Sequence, residues 1–505
     1  MRTAVLRRSA RGRLRLGPAL AVCAGLSILA ACSSAPSAPP APARNGVAWS
    51  ANSFDLQRTG ENPHETRLGV GNVSRLRLRW HKAAYSYIDT SPVLAPDVRV
   101  GRYREDLLFF GTEGGKVYAV NAESGATVWR RQLGAHIGLG SQCYRSPFGV
   151  TATPAVDRAG NRLYVVDGDN MVYALDLSSG ATLQGWPVAL PQARNLRDHA
   201  WGALTELGSR LYVTLASDCD DPPYRGALVE LATGATPAVE AVFSPEPPGI
   251  SGGGIWGWGG VAVDPSGADI YLATGNAFAP DEDAGYGNSL VELSSRTLQV
   301  IGHNNPSIPA AGGDWDFGST PVLYKTPGCP LQLAVESKIG ALFVYDASSI
   351  SPSSRPQKLQ VASRHRADFI GDVAYSSKSH LLYVSDPSGS PGESATGTSG
   401  GSYEHGLIAF RTLPSCRLDA TPAWQGPNLG PPSHLPNPMT DPTVANGVVY
   451  FGSGQGKTVY ALDAATGRLL WDDHLSAANG IYAAPIVVNG WLYVPTWFGM
   501  YAFHT

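Results

Sequence analysis

Cysteine is sparse in this chain and badly spaced for metal or haem work. Six cysteines occur in 505 residues. No C-x-x-C and no C-x-x-C-H motif is among them, which excludes a zinc knuckle and a c-type haem. Charged residues are also few, at 16%, and long helical periodicities are rare, so a helix-rich fold is not expected. His136, His199, His303 and His434 share no metal-ligand spacing and read as loop residues. Ser141 and Ser251 lack a nucleophile-elbow frame. What the chain has in quantity is glycine (58) and proline (39), the composition of a globular protein with many turns. Length alone suggests about three domains, but an internal repeat overrides that prior.

The ends of the chain are read first. Arg2, Arg7, Arg8, Arg11, Arg13 and Arg15 make a basic start, and a mostly apolar segment runs from Leu16 to Ala31. That run is too short to span a membrane comfortably. It closes on Leu29-Ala30-Ala31-Cys32, the pattern of a bacterial lipoprotein signal in which the cysteine is lipidated and becomes the first residue. Residues 1–31 are therefore expected to be a signal peptide. Residues 32–48 would be the lipidated Cys32 with a flexible Ser/Ala/Pro tether, and the product would sit in the cell envelope, on the periplasmic face or the cell surface. Removing residues 1–31 leaves 32 basic against 41 acidic residues, a charge near −9, which argues against nucleic-acid binding. Cys143, Cys219, Cys329 and Cys416 remain. Four cysteines in an oxidising compartment allow three pairings; Cys143–Cys219 and Cys329–Cys416 are preferred because each pair lies in nearby repeats.

Residues 49–505 repeat a unit of about fifty residues. The clearest copies are Leu107–Trp129 and Val448–Trp471, with a third from Leu163 to near Trp186. Each reads as strand, glycine turn, strand, Ser/Thr-Gly turn, strand, with an aromatic residue at a fixed place. Weaker copies centre on Leu211, Ile270, Leu331, Leu381 and Leu492. About eight units follow. The alternating segment Leu76–Trp80 matches the outer strand that the last unit lacks after Phe503, so an N-terminal strand would complete the last blade and protect the sheet edges. The expected fold is all-β, one eight-bladed β-propeller closed by an N-terminal strand. A parallel β-solenoid is the alternative, disfavoured by repeat length and hairpin turns.

One stretch departs from plain repeat, Ser251 to Phe317. It carries Gly252-Gly-Gly-Ile-Trp256-Gly-Trp258-Gly-Gly260, the strand end Thr274-Gly275-Asn276, and Asp314-Trp315-Asp316. Glycines beside indoles let flat surfaces approach closely. A strand-end amide and a carboxylate pair suit a hard cation and an acid–base step.

The repeat Tyr-Ala-Leu-Asp-x-x-Thr-Gly-x-x-x-Trp resembles the tryptophan-docking unit of pyrroloquinoline-quinone (PQQ) proteins. The opening Trp49-Ser-x-x-x-Phe-Asp-x-x-Arg-Thr-Gly-x-Asn-Pro63 resembles the N-terminus of PQQ-dependent alcohol dehydrogenases and polyvinyl-alcohol dehydrogenases. The resemblance covers residues 49–505. It implies a quinone stacked on Trp258, in Trp258-Gly-Gly-Val-Ala-Val-Asp-Pro265, with Trp256 as the substitute if the register slips. It implies Asn276 and Asp316 as Ca²⁺ ligands, together with Asp221, which is reached by counting back from Arg225-Gly226. Asp316 would also be the catalytic base, Asp314 would help orient it, and Lys338 would contact the quinone oxygens. The vicinal cysteine pair of many such dehydrogenases is absent, as is an attached haem domain. Electrons would therefore leave to an external acceptor such as a cytochrome.

On this resemblance the chain is expected to be a lipid-anchored quinoprotein-like dehydrogenase of an alcohol or polyol. A scaffold lipoprotein of outer-membrane assembly uses the same repeat without a cofactor, so a non-catalytic protein-binding propeller is the competing reading. A glycan-binding surface lipoprotein is the third. Asp198-His199-Ala-Trp201 is a further candidate for the channel lining; His365 and Asp368 have no placement from sequence.

Overall fold

The computed structural model describes residues 46–136, 147–191, 197–217, 220, 222–278, 284–309, 314–362, 371–386, 395–396, 402–403, 406–427, 440–454, 456–476 and 478–505. Eight antiparallel sheets, each built chiefly from four consecutive strands, make the blades of a propeller. Blade 1 runs Val93–Val100, Tyr103–Gly111, Lys116–Asn121 and Thr127–Gln132; blade 7 runs Thr443–Ala445, Val448–Ser453, Thr458–Asp463 and Leu469–His474. Blade 8 has only three strands from the C-terminus, ending in Gly499–His504, and Arg77–Ala83 pairs antiparallel with that last strand as the fourth. The expected closure by an N-terminal strand is thus observed, starting at Arg77. Regular helix among the described residues is limited to the short 3-10 turns Val73–Arg75 and Ala347–Ser349.

The strand pattern follows from burial. Second and third strands are buried on both faces, as in Val448–Ser453, and read as continuous apolar runs. Outer strands meet solvent on one side and alternate, as in Ala238–Phe243. The core is divided among the eight gaps between neighbouring blades. One cluster joins Phe109 and Val117 of blade 1 to Leu163 and Val165 of blade 2. Another joins Tyr450 and Val459 of blade 7 to Leu492 and Phe503 of blade 8. A last cluster, with Phe110, Tyr118, Tyr493 and Met500, closes blade 8 onto blade 1.

The repeated tryptophan and glycine have one shared task. Trp129 Nε1 donates to Leu177 O of the next blade at 2.8 Å, and a Cβ on Gly180 would come within 2.6 Å of its ring. Trp80 does the same to Ala122 and Gly125, and Trp424 to Ala464 and Gly467. These glycines have φ near +70°, a conformation that costs other residues strain. Each indole therefore lies flat on a turn that only glycine can make.

The opening motif has a place of its own. Residues 49–62 contact the inner strands all round the ring. Trp49 bridges Leu94 in blade 1. The carbonyls of Ser50, Leu56, Gln57, Thr59 and Gly60 accept from Val156, Val263, Leu323, Tyr375 and Val444, in blades 2, 4, 5, 6 and 7. Asn62 Nδ2 donates to Val487 O in blade 8. The wholly buried Arg58 reaches Thr205 in blade 3 and Val261 O at the start of blade 4. Of the two cysteine pairings expected, Cys329–Cys416 is formed; Cys143 and Cys219 lie outside the described residues, as does Cys32.

Candidate functional site

Three blades deliver the site. The second strands of blades 3, 4 and 5 end at Ser217, Ala273 and Ser337, and the chain just beyond them supplies Asp220, Asn276 and Lys338. The segments leading into the inner strands of blades 4 and 5 supply Trp256 and the Asp314–Asp316 pair. Because neighbouring blades put equivalent strand ends side by side, residues far apart in sequence converge.

The centre is a cluster of oxygens. Carboxylate oxygens of Asp220, Asp314 and Asp316 all lie within 4.8 Å of one another. Asn276 Nδ2 donates to Asp220 Oδ2 and Asp314 Oδ1, both at 2.9 Å. Lys338 Nζ lies 2.8 Å from Asp314 Oδ2 and 3.0 Å from Asp316 Oδ1. It also stands 4.4 Å from the centroid of the Trp256 ring, in cation–π range. Trp256 Nε1 donates to Asp316 Oδ2 at 2.9 Å. The Tyr224 hydroxyl donates to Asp220 Oδ1.

Electrostatics separate the two carboxyls of the Asp-Trp-Asp motif. Asp316 is 1% exposed; burial pushes it up to about 7, with Lys338 opposing and the charges of Asp314 and Asp220 adding to the rise. Burial works upward on Asp314 as well, but the Lys338 ammonium outweighs it and holds Asp314 below the ordinary carboxylate range. Burial works downward on Lys338, and the charges of Asp316 and Asp314 reverse that, so the amine is held above its usual value. Tyr224 is raised well above a free phenol, first by burial and then by Asp220.

The glycines make room for this packing. A Cβ on Gly252, whose φ is +112°, would sit 2.2 Å from Asn276 O, and one on Gly275 would sit 2.9 Å from Asp316 Oδ2. Backbone bonds tie the same pieces together: Gly253 N donates to Asn276 O, Gly275 N to Gly254 O, and Lys338 N to Asp316 O.

Asn276, Asp314, Asp316, Lys338 and Trp256, all singled out from sequence, are brought together. Trp258 is not part of this contact set. It is 6% exposed and faces Trp201 at 5.8 Å between ring centroids. Two residues of offset turn the indoles to different surroundings, and Trp256 is the one that touches the cluster. Asp221 lies outside the described residues. Its neighbour Asp220, which counting from Arg225-Gly226 passed over, is in the cluster; the acidic run from Asp218 to Asp221 was the available signal. Tyr224 was also missed, because a lone tyrosine beside two prolines carries no motif. Asp198–Ala200 adds a short strand to blade 3. There His199 is buried against Phe148, and burial lowers its pKa to about 3, so it is a neutral packing residue. His303 is in an outer strand against Tyr286. His365, Asp368 and His434 lie outside the described residues.

Comparisons with known proteins agree with this architecture. A family model of the PQQ repeat, described as "Outer membrane protein assembly factor BamB", matches residues 69–217 and 419–499. The chain is an eight-bladed β-propeller. A polyvinylalcohol dehydrogenase of Sphingopyxis sp. (strain 113P3) is 24% identical over 92% of this chain and 74% of its own length. One of Pseudomonas sp. is 23% identical over 85% and 70%. Among solved structures, a europium-containing methanol dehydrogenase superposes with TM-score 0.68 at 14% identity, over 91% of this chain and 98% of that one. Quinohemoprotein alcohol dehydrogenase from Comamonas testosteroni gives 0.64 at 16%, over 90% and 80%. At such identities the structural likeness speaks for the fold. The six residues of the candidate site, Asp220, Trp256, Asn276, Asp314, Asp316 and Lys338, fall between the two matched segments.

Proposed function

We propose that this chain is a lipid-anchored, extracytoplasmic quinoprotein dehydrogenase that oxidises an alcohol or polyol, with PQQ and Ca²⁺ as its resident groups. The observation that carries this reading is the Asp220–Asn276–Asp314–Asp316 cluster with the Trp256 indole and the Lys338 ammonium against it. The curated relatives named polyvinylalcohol dehydrogenase point the same way.

The residues fit both groups. All donors in the cluster are oxygens, the set a hard divalent cation takes. Asn276 Oδ1 is buried with no hydrogen-bond partner among the described residues, and turning the amide over would exchange it with Nδ2 and aim it at an ion among the carboxylates. Asp220, Asn276 and Asp316 would hold the ion, with Asp314 as a further carboxylate. Trp256 offers a half-buried flat surface and Lys338 a positive charge, what an anionic aromatic quinone requires. When bound, PQQ supplies the two-electron acceptor and Ca²⁺ polarises it.

The protein's own share is orientation and proton transfer. Asp316, fixed by Trp256 Nε1 and Lys338, would accept the hydroxyl proton of the alcohol. Lys338 and Asp314 would hold its orientation. Cys32 would carry the lipid, and electrons would pass to an external acceptor such as a cytochrome.

A non-catalytic scaffold is the second reading, favoured by the description of the matching family model. The two separate in one titration. The compact unit Ala43–Thr505 is mixed with PQQ and Ca²⁺ while tryptophan fluorescence is followed. Saturable, calcium-dependent quenching that Trp256→Ala or Asp316→Ala weakens supports the dehydrogenase and leads to an alcohol screen with an artificial electron acceptor. Absence of binding by folded protein overturns it and leaves the scaffold.

A further inference from the structure

The face of the propeller opposite the site has an unusual charge pattern at blades 8 and 1. The site is built at the far ends of the second strands, so the hairpins joining first to second strands turn on the other face. There the chain enters the propeller. Val47 N donates to Asn489 Oδ1 at 2.9 Å and Asn489 Nδ2 donates back to Val47 O at 3.0 Å, pinning the entering chain to the hairpin turn of blade 8.

Six exposed arginines lie on the elements that meet at this face: Arg67 beside the blade 8 turn, Arg75, Arg77 and Arg79 on the segment that becomes the outer strand of blade 8, and Arg99 and Arg102 on the first hairpin of blade 1. Arg67 reaches Asn489 O, Arg79 reaches Thr505 O at 2.6 Å, and Arg99 reaches Gly101 O in the hairpin of blade 1. Arg77 bonds the carbonyl of Leu76, and Arg102 bonds the Tyr103 hydroxyl. Among the described residues none of the six pairs with an Asp or Glu side chain, and only Arg79 is matched, by the terminal oxygen of Thr505. Nearby arginines behave differently: Arg104 pairs with Asp97, and Arg162 with Asp157. In a chain with more acidic than basic residues overall, this is a local excess of positive charge over the nearby Glu65, Asp97 and Asp106. Leu78 and Tyr103, 48% and 57% exposed, stand among the arginines.

We infer that this arginine-rich face at blades 8 and 1 docks on an anionic lipid headgroup surface. The favoured partner follows from where the chain enters. Thirteen residues, 33–45, lie between Cys32 and the described propeller. Fully extended they span at most about 45 Å, and as a flexible chain about 20 Å. On the reading that Cys32 carries a lipid, so short a tether keeps this face near the bilayer, where guanidinium groups bind phosphate oxygens. Exposed Leu78 and Tyr103 suit the interfacial zone. The docked orientation turns the candidate site outward, toward soluble or polymeric substrate and away from the membrane.

Vesicle co-sedimentation tests this with the unlipidated chain from Ser33 onward, which contains the whole compact unit. Phosphatidylcholine vesicles with about 30% phosphatidylglycerol are compared with pure phosphatidylcholine. Binding at least about tenfold stronger to the anionic vesicles, and lost on raising salt toward 0.5 M, is expected. Arg77→Glu with Arg99→Glu should abolish it, whereas the same charge change at Arg296→Glu with Arg355→Glu, on blades 4 and 5, should leave at least half. Equal binding to neutral vesicles, or equal loss in both double variants, overturns the proposal. Retention on immobilised polyglutamate without vesicle binding also overturns it, in favour of an acidic polypeptide partner. The readout needs no quinone, and PQQ titration of the Arg77→Glu/Arg99→Glu variant reports separately on the dehydrogenase reading and on folding.

Discussion

Blades 7, 8 and 1 and blades 3, 4 and 5 are built on one plan and used differently. In the first group the second and third strands follow closely on one another, Gly111 before Lys116 in blade 1 and Ser453 before Thr458 in blade 7. In the second group the same junction lengthens to 218–226 in blade 3 and 274–289 in blade 4, while blade 5 keeps a short turn and places Lys338 on it. Blades 7, 8 and 1 spend their sequence on inter-blade docking: Trp80 on Gly125, Trp129 on Gly180. Blades 3 to 5 keep the buried strands but use their strand ends to gather carboxylates. Stability is thus distributed around the ring, whereas the chemistry is confined to one sector of it.

The sharpest way to break this contrast is to alter one residue of each kind. Asp316→Asn should lower dehydrogenase turnover by roughly 10²–10⁴-fold, the range of a lost general base, with the thermal midpoint of the parent; a steady-state assay with an artificial acceptor checks it. Trp424→Ala removes a docking indole and should cost about 3–5 kcal/mol of stability, read by chemical denaturation, while the folded fraction binds quinone as the parent does. Tyr224→Phe keeps the ring and deletes the hydrogen bond to Asp220. It should weaken Ca²⁺ binding roughly 10–100-fold, as loss of a supporting partner does, with little change in stability; calorimetric titration decides.

The smallest effect concerns pH. Asp89 and Asp372 are buried carboxyls outside the site, and burial raises each to about 7. Asp89 is opposed by hydrogen bonds with Glu113 and Trp497; Asp372 accepts from the amides of Thr320 and Gly259. Between the ordinary value of 3.8 and about 7 the folded chain holds protons that the unfolded chain releases, so stability falls as pH rises through that window. Scanning calorimetry should show a lower midpoint at pH 8 than at pH 5.5, and Asp372→Asn should flatten the difference.

Much of the ring was legible in one dimension because its determinants are local. A turn glycine with positive φ and an apolar run of strand length recur in every clear copy, with a tryptophan four to six residues after the glycine, and each acts within a blade or on its neighbour. The same locality made Thr274-Gly275-Asn276, Asp314-Trp315-Asp316 and Lys338 readable, since each is tied to a strand end. The match of Leu76–Trp80 to a missing outer strand was readable for the same reason.

Other features were decided only when the ring closed. Which indole meets the cluster, Trp256 or Trp258, depends on the path of a glycine-rich segment whose torsions its own sequence leaves open. That Asp220 meets Asn276 and Asp314 depends on three blades turning their strand ends toward one another. The course of residues 49–62 round all eight inner strands, with Arg58 buried, needs the assembled barrel of blades to exist at all. Sequence alone determined the blade, because a blade is made by contacts along a short stretch of chain. The site and the arginine face were settled by tertiary structure, because their charges and hydrogen bonds join residues that only inter-blade packing brings within reach.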